Sequence, residues 1–148
     1  MTSTPAMEPI TERFKPYTLQ SILPDDDTLI LDSEQSVIAR LHAGTLVELQ
    51  LLSPSEFYVT ESLITNYPDY CPYAHVLHAM TGKSLKACTE RVNWGLEEGT
   101  VDVVMRPVRN LLGRTRSKLR PFGIEVKSLV GMGYMLVPLR EKRHKETR

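Results

Sequence analysis

The sequence lacks the features that mark secreted and membrane proteins. Its 148 residues include two cysteines, Cys71 and Cys88, which form neither a paired-thiol motif nor a disulfide framework. Such sparse cysteine use favours a reduced, cytoplasmic setting. No apolar run approaches the roughly 18–20 residues of a membrane span, and the N-terminal residues lack the apolar stretch of a signal peptide. We therefore expect a cytoplasmic protein without a membrane partner.

Patterns typical of enzymes and metal sites are also missing. There is no glycine-rich phosphate loop and no Ser/His/Asp or Cys/His grouping. His75 and His78 are spaced to share one helix face, but no third ligand completes a metal set. The three carboxylates of Asp25–Asp27 are better interpreted as a solvated entry to a strand than as a metal or phospho-acceptor cluster. We expect no catalysis, cofactor, metal or small-molecule substrate.

The charges are unevenly distributed along the chain. The formal net charge is zero, yet residues 1–70 carry 11 acidic and three basic side chains, whereas residues 71–148 carry seven acidic and 15 basic ones. The C-terminal half alone would be attracted to phosphate. Overall neutrality therefore does not exclude a nucleic-acid partner.

The order of apolar and polar residues predicts a small sheet followed by helices. Short β-branched and leucine-rich runs over residues 28–52 are separated by turn signals, which favours an antiparallel sheet. Ser53–Glu56 forms a capping box with proline at the first helical position, so a helix begins there. Further helices are predicted over Tyr73–Met80 and Ser84–Leu96, the second with Leu85, Cys88, Val92 and Leu96 on its buried side. The fold class is α+β.

The most informative segment is a basic helix predicted from about Pro107 to Arg120. Residues 105–120 contain six basic side chains and no acidic one. At 100° per residue, one side of this helix is apolar, formed by Val108, Leu111, Leu112, Thr115 and Leu119. The opposite side carries Asn110, Gly113, Arg114 and Ser117, flanked by Arg109, Arg116 and Arg120 on one edge and by Lys118 on the other.

A hairpin is predicted directly after the basic helix. Strands are expected over Ile124–Val130 and Tyr134–Val137, joined by a turn at Gly131–Gly133 and ended by Pro138.

This order of elements resembles the OmpR/PhoB-type winged-helix effector domain of bacterial response regulators. Three segments carry the resemblance, which covers about residues 28–138: LVELQLLSPSEF, with the family's helix start; RSKLRPFGIEV, with its basic helix end and following strand; and GMGYML, with its wing turn. The resemblance implies a winged helix with an N-terminal antiparallel sheet, three core helices plus an extra short helix, and a C-terminal wing hairpin. It divides the chain into a loosely ordered extension (1–27), the winged-helix domain (28–138) and a basic tail (139–148).

The resemblance also implies a DNA interface. Asn110, Arg114 and Ser117 would meet base edges in the major groove, and Arg109, Arg116, Lys118 and Arg120 would bind phosphates. Wing contacts would come from Lys127, Ser128 and Met132. The partners would be double-stranded DNA and RNA polymerase, through its sigma or alpha subunit, and a homodimer on DNA is left open.

Several departures from the family pattern qualify this expectation. The 27 preceding residues are too few for a receiver domain, and Val130 stands where the family often has a wing arginine. Thr100–Val103 also resembles the family's T-V-D-V, which would start the helix seven residues earlier; we favour the later register because RSKL abuts PFGI. The stretch over residues 82–106 is longer than the corresponding loop of the family, which often contacts RNA polymerase.

Two functions follow from the sequence. The first is a transcription regulator in the nucleoid of a bacterial or phage-infected cell. The alternative is a winged-helix adaptor for RNA polymerase or a sigma factor, with little DNA binding of its own.

Overall fold

The structure, a computed structural model, describes residues 13–140 and has an α+β fold. The first sheet contains β1 (Phe14–Tyr17), β2 (Asp27–Asp32), β3 (Val37–His42) and β4 (Thr45–Leu51), antiparallel in that order. Four helices are found in the described range: α1 (Pro54–Asn66), α2 (Tyr73–Thr81), α3 (Leu85–Glu98) and α4 (Val101–Leu119). The second sheet, in the order β5-β7-β6, contains β5 (Cys71–Pro72), β6 (Ile124–Leu129) and β7 (Gly133–Pro138).

One apolar core joins the two sheets and the helices. Leu29, Leu31 and Ile38 point into it from one side of the first sheet and are essentially inaccessible to solvent. Phe57 and Leu63 of α1 belong to the same buried cluster, as do residues of α4 and of the C-terminal hairpin. No helix within residues 13–140 is both long and apolar enough to cross a membrane.

The first sheet begins earlier than the sequence indicated. Part of the predicted extension (1–27) joins the first sheet, because β1 pairs with β2 from Phe14 to Tyr17. Leu19 and Leu23 then enter the core between these strands. Residues 1–12 of the predicted extension and residues 141–148 of the predicted tail lie outside the described range.

Asp27 is a buried ion-pair residue, contrary to the predicted solvated strand entry. Asp25 and Asp26 are exposed, but the Asp27 carboxylate contacts Arg40 Nη1 and His42 Nδ1, each at 2.6 Å. The hydrogen bond with His42, followed by that with Arg40, lowers the pKa of Asp27 despite its burial. Strands β2 and β3 are therefore joined by a carboxylate that stays ionised.

The capping box that starts α1 and the glycines that end α2 and α3 are confirmed. Ser53 Oγ accepts from the Glu56 amide at 3.2 Å, and Glu56 Oε1 accepts from the Ser53 amide at 2.8 Å, which completes the capping box. Gly82 and Gly99 end α2 and α3 in the left-handed conformation that glycine adopts without a Cβ clash.

The helix predicted over Ser84–Leu96 is confirmed as α3, but its buried stripe differs from the predicted one. Cys88, Val92 and Gly95 face the core, whereas Leu85 and Leu96 lie at the exposed margin. A Cβ at position 95 would come within 3.0 Å of Val104 in α4. The absence of a side chain at Gly95 therefore allows α3 and α4 to pack closely.

The start predicted for the basic helix at about Pro107 is wrong, because α4 begins at Val101. The distance from RSKL to PFGI, on which the later start rests, fixes the end of the helix and not its beginning. Here the Thr100 carbonyl accepts from the Val104 amide at 3.2 Å, and Val104 and Met105 add buried side chains to the first turns. Both alternative registers therefore fall on one continuous helix, which ends at Leu119.

The turn of the C-terminal hairpin needs its two glycines for different reasons. Gly131 adopts φ +79°, a left-handed conformation that favours glycine. Gly133 lies against β5, and a Cβ added there would be 2.1 Å from the Cys71 carbonyl oxygen. The predicted hairpin is confirmed, and its second strand is also the centre of a three-stranded sheet.

We expect Gly133→Ala to destabilise the protein by about 3 kcal/mol or more, because the backbone of β5 or β7 must move to admit the methyl group. Gly113→Ala is the matched control: no atom outside the α4 backbone lies within 4 Å of the added Cβ, and alanine should stabilise the helix by roughly 1 kcal/mol. Urea unfolding of the two variants measures both effects. Equal stabilities would contradict the close contact at β5.

Candidate nucleic-acid interface

Helix α4 separates an apolar side from a polar side as its spacing predicted. Val108, Leu111, Leu112, Thr115 and Leu119 are all buried. The one polar member, Thr115, donates its hydroxyl to the Leu111 carbonyl at 2.8 Å, so its burial leaves no donor unsatisfied. The core therefore fixes the rotation of α4 and with it the direction of every cation on the other side.

The opposite side of α4 is open to solvent. Asn110, Gly113, Arg114 and Ser117 are exposed. Ser117 Oγ donates to the Arg114 carbonyl at 3.0 Å, and no side-chain hydrogen bond or ion pair of Asn110 or Arg114 occurs within residues 13–140. The three residues predicted to meet base edges thus share one accessible surface, and Gly113 lets another molecule approach its backbone closely.

Arg109 and Arg120 are exposed on the flank of this surface. The Arg109 guanidinium turns back along α4, where Nη2 donates to the Asp102 carbonyl at 2.8 Å and Nη1 lies 3.6 Å from the Asp102 carboxylate. Both groups are largely solvated, so this pair is weak and easily exchanged. Arg120 lies in the single turn of 3₁₀ helix (Arg120–Phe122) that follows α4.

Arg116 connects α4 to the hairpin. Its Nε and Nη2 atoms both donate to the Val126 carbonyl, at 3.3 and 3.2 Å. The side chain is only partly exposed. This predicted phosphate ligand therefore holds the hairpin against the helix, a role that spacing on the helix could not reveal.

Lys118 binds a buried carboxylate. Its Nζ lies 2.8 Å from Glu56 Oε1, the same oxygen that caps α1. Burial by itself raises the pKa of Glu56, but the hydrogen bonds from Lys118 and from the Ser53 backbone outweigh it, and the net pKa is lower than usual. A phosphate at Lys118 would have to compete with this pair, which joins residues 62 positions apart.

The hairpin exposes the residues predicted to contact DNA from the wing. Lys127, Ser128 and Met132 are accessible, and Val130 at the turn is 92% exposed. The turn itself is held by Tyr73 at the start of α2. The Tyr73 hydroxyl accepts from the Gly131 amide at 3.0 Å, and the Tyr73 amide donates to the Met132 carbonyl at 3.1 Å.

Comparison with known proteins identifies no family. The sequence matches no protein-family profile and no curated protein. In the part of the chain that the structure describes, no group of three or more His, Cys, Asp or Glu side chains is placed to hold a metal ion.

A second exposed surface lies upstream, in the segment over residues 82–106. Trp94 of α3 is 57% exposed, and Leu96 and Val103 are also accessible. The side chain of Trp94 therefore lies outside the core. An exposed tryptophan is typical of a protein-binding surface.

Replacing Lys118 with methionine should destabilise the fold and weaken the dependence of its stability on acid. In the native protein the lowered pKa of Glu56 stabilises the fold at pH values above the unfolded pKa of this group, and this stabilisation is lost as pH falls through the folded pKa. Without Lys118 its hydrogen bond no longer lowers the pKa of Glu56 while burial still raises it, so Glu56 contributes less to the loss of stability in acid. We expect a loss of about 1–3 kcal/mol near neutral pH, below the usual cost of breaking a buried pair because Lys118 is partly solvated.

Urea unfolding between about pH 4 and pH 7 tests this prediction. Lys127→Met removes an exposed lysine of the hairpin and is the matched control, with little expected effect. Equal stabilities and equal pH slopes for the two variants would show that the Glu56–Lys118 pair contributes nothing.

Proposed function

We propose that the protein is a DNA-binding transcription regulator that places α4 in the major groove. The carrying observation is the exposed face of α4, where Arg114, Asn110 and Ser117 lie together while the opposite side of the helix is fixed in the core. To contact base edges in the major groove, a basic helix must present the same side chains to the DNA each time, and its buried side determines which ones these are.

The order of elements supports a winged-helix reading of the fold. A capped helix, a second helix, a basic helix and a hairpin follow the first sheet, as in the OmpR/PhoB-type domains that the sequence resembles. Arg116 and Tyr73 hold the hairpin beside the helices. In this proposal the hairpin acts as the wing, with Lys127, Ser128 and Met132 facing the DNA backbone.

The four side chains predicted to bind phosphate differ in how freely they could reach a partner. Arg109 and Arg120 are exposed and free to turn toward a phosphate. Arg116 and Lys118 are engaged with Val126 and Glu56. We propose that the first two supply the main phosphate contacts, and that the second two orient the helix and the hairpin.

We expect Arg114→Glu to lower the affinity for duplex DNA at least about tenfold, because it removes a contact to a base edge and adds repulsion from phosphate. Arg91→Glu makes the same charge change at an exposed position on α3 and should leave the affinity nearly unchanged. Fluorescence anisotropy with a random-sequence duplex at low salt measures both variants. A native protein that does not bind at low salt would refute DNA binding altogether.

The dependence of affinity on salt counts the phosphate contacts. Each one contributes about −0.9 to the slope of log affinity against log salt concentration. Four contacts from Arg109, Arg116, Lys118 and Arg120 predict a slope of about −3 to −4, whereas Arg109 and Arg120 alone predict about −2. A slope near −2 that Lys118→Met leaves unchanged would support the ranking, and a steeper slope that flattens in this variant would contradict it.

The second candidate function is an adaptor for RNA polymerase, and the exposure of Trp94 favours it. In this case the segment over residues 82–106 binds the polymerase, either beside DNA binding or in place of it. The exposed side chain of Trp94 would be the main apolar group of the contact.

Trp94→Ala should weaken binding to purified bacterial RNA polymerase holoenzyme about tenfold or more, since buried tryptophans dominate such interfaces. Tyr58→Ala removes a comparably exposed aromatic side chain from α1 and is the control. Loss of polymerase binding in Trp94→Ala with unchanged DNA affinity would separate the two functions. Equal binding by both variants would remove Trp94 from the proposed contact.

A further inference from the structure

The first sheet has an apolar row at one exposed edge. The edge strand β4 carries Leu46, Val47, Leu49 and Leu51, whose side chains are between 46% and 60% exposed. Soluble proteins seldom leave a long apolar edge strand open, because it is a template for pairing with another strand.

A bulge brings these four side chains to the same face. Leu49 is opposite Ala39 and Leu51 is opposite Val37, whereas the register shift puts Leu46 opposite Leu41. The three β3 partners alternate along their strand and share the side that faces away from the core. Val47, two residues before Leu49, joins the same side.

The backbone of β4 also presents groups at this edge that no other strand within residues 13–140 pairs with. The Leu52 amide donates to the Ser36 carbonyl at 2.8 Å, so the groups of Leu52 and, by alternation, Gln50 point toward β3. Those of Leu49 and Leu51 consequently point outward. In agreement, the Leu51 carbonyl accepts from the side-chain amide of Gln50 at 3.0 Å.

We propose that β4 pairs with β4 of a second copy of this chain, antiparallel, about a two-fold axis at Leu49. The two sheets then join into one, and this inference does not rest on DNA binding. The outer edge β1 is only four residues long and includes Lys15 and Pro16, both of which discourage pairing. With one edge open and the other protected, association stops at a closed dimer.

Charge selects this register over its neighbours. An axis at Glu48 would set two Glu48 side chains against each other at a Cα separation of about 4.5 Å. An axis at Gln50 would set Glu48 against the buried Leu52. With the axis at Leu49, Glu48 faces Gln50 of the second copy, whose amide donates to the carboxylate. Leu49 then meets Leu49 of the second copy, and Leu51 meets its Val47, so each apolar side chain gains an apolar neighbour.

The mass in solution tests the dimer. Light scattering after size-exclusion chromatography should give twice the chain mass of 16.8 kDa for the native protein. Leu49→Lys should be monomeric, because it places two like charges at the axis, whereas Leu96→Lys, the same change at an exposed leucine of α3, should remain dimeric. A native protein that is monomeric at every concentration reached would overturn the proposal. The apolar row of β4 would then be a surface for a different protein.

A milder variant keeps the test valid if Leu49→Lys does not fold. Gln50→Glu should raise the dimer dissociation constant roughly 2- to 30-fold through two Glu–Glu contacts, and added salt should reverse part of the loss. An unchanged dissociation constant would exclude this register.

Disulfide trapping locates the axis. Under mild oxidation Leu49→Cys should form a covalent dimer, since residues facing each other across the axis lie within disulfide reach. Glu48→Cys should not, because its two copies are displaced along the ladder, and the native Cys71 and Cys88 are buried. Tyr58→Cys controls for random collisions. Trapping by Glu48→Cys instead of Leu49→Cys would contradict the proposed axis.

Discussion

The buried carboxylate of Glu56 joins parts of the chain that are distant in sequence. It caps the first turn of α1 through Ser53 and accepts the Lys118 ammonium from the last turn of α4. Two residues earlier in α4, Arg116 donates to the Val126 carbonyl of the hairpin. The start of the helical region, the end of the basic helix and the C-terminal hairpin are therefore positioned by two adjacent cation contacts. The direction in which α4 presents its open face depends on these contacts as much as on its apolar stripe.

The features that could be predicted from the sequence are those determined by neighbouring residues. The capping box at Ser53, the apolar stripe of α4 and the turn at Gly131 each follow from the spacing of a few side chains. The start of α4 was missed because the motif RSKL–PFGI marks only the end of the helix, whereas the burial of Val104 and Met105 is a property of the folded chain. Strand β1 was missed for a similar reason: a short run with Lys15 and Pro16 becomes a strand only when β2 lies beside it.

The candidate site was predictable as a surface but not as a set of contacts. Helical spacing was enough to put Asn110, Arg114 and Ser117 on one open face. It could not distinguish cations that face solvent from cations that neutralise buried groups of their own protein. Lys118 belongs to the second class, as does Arg40 beside Asp27. Counting basic residues along a helix therefore overestimates the charge available to a partner, because part of that charge is already used inside the fold.

Gly133 and Gly113 differ in the constraint that excludes a larger side chain. At position 133 the backbone of β5 leaves no room for another atom, so any chain that builds this three-stranded sheet must have glycine there. At position 113 nothing within the described chain approaches, and a larger residue would even favour the helix. Over evolutionary time the first position is held by the fold alone. The second is free to drift unless another molecule presses against α4, so variation at Gly113 among descendants of this sequence would record whether that surface is in use.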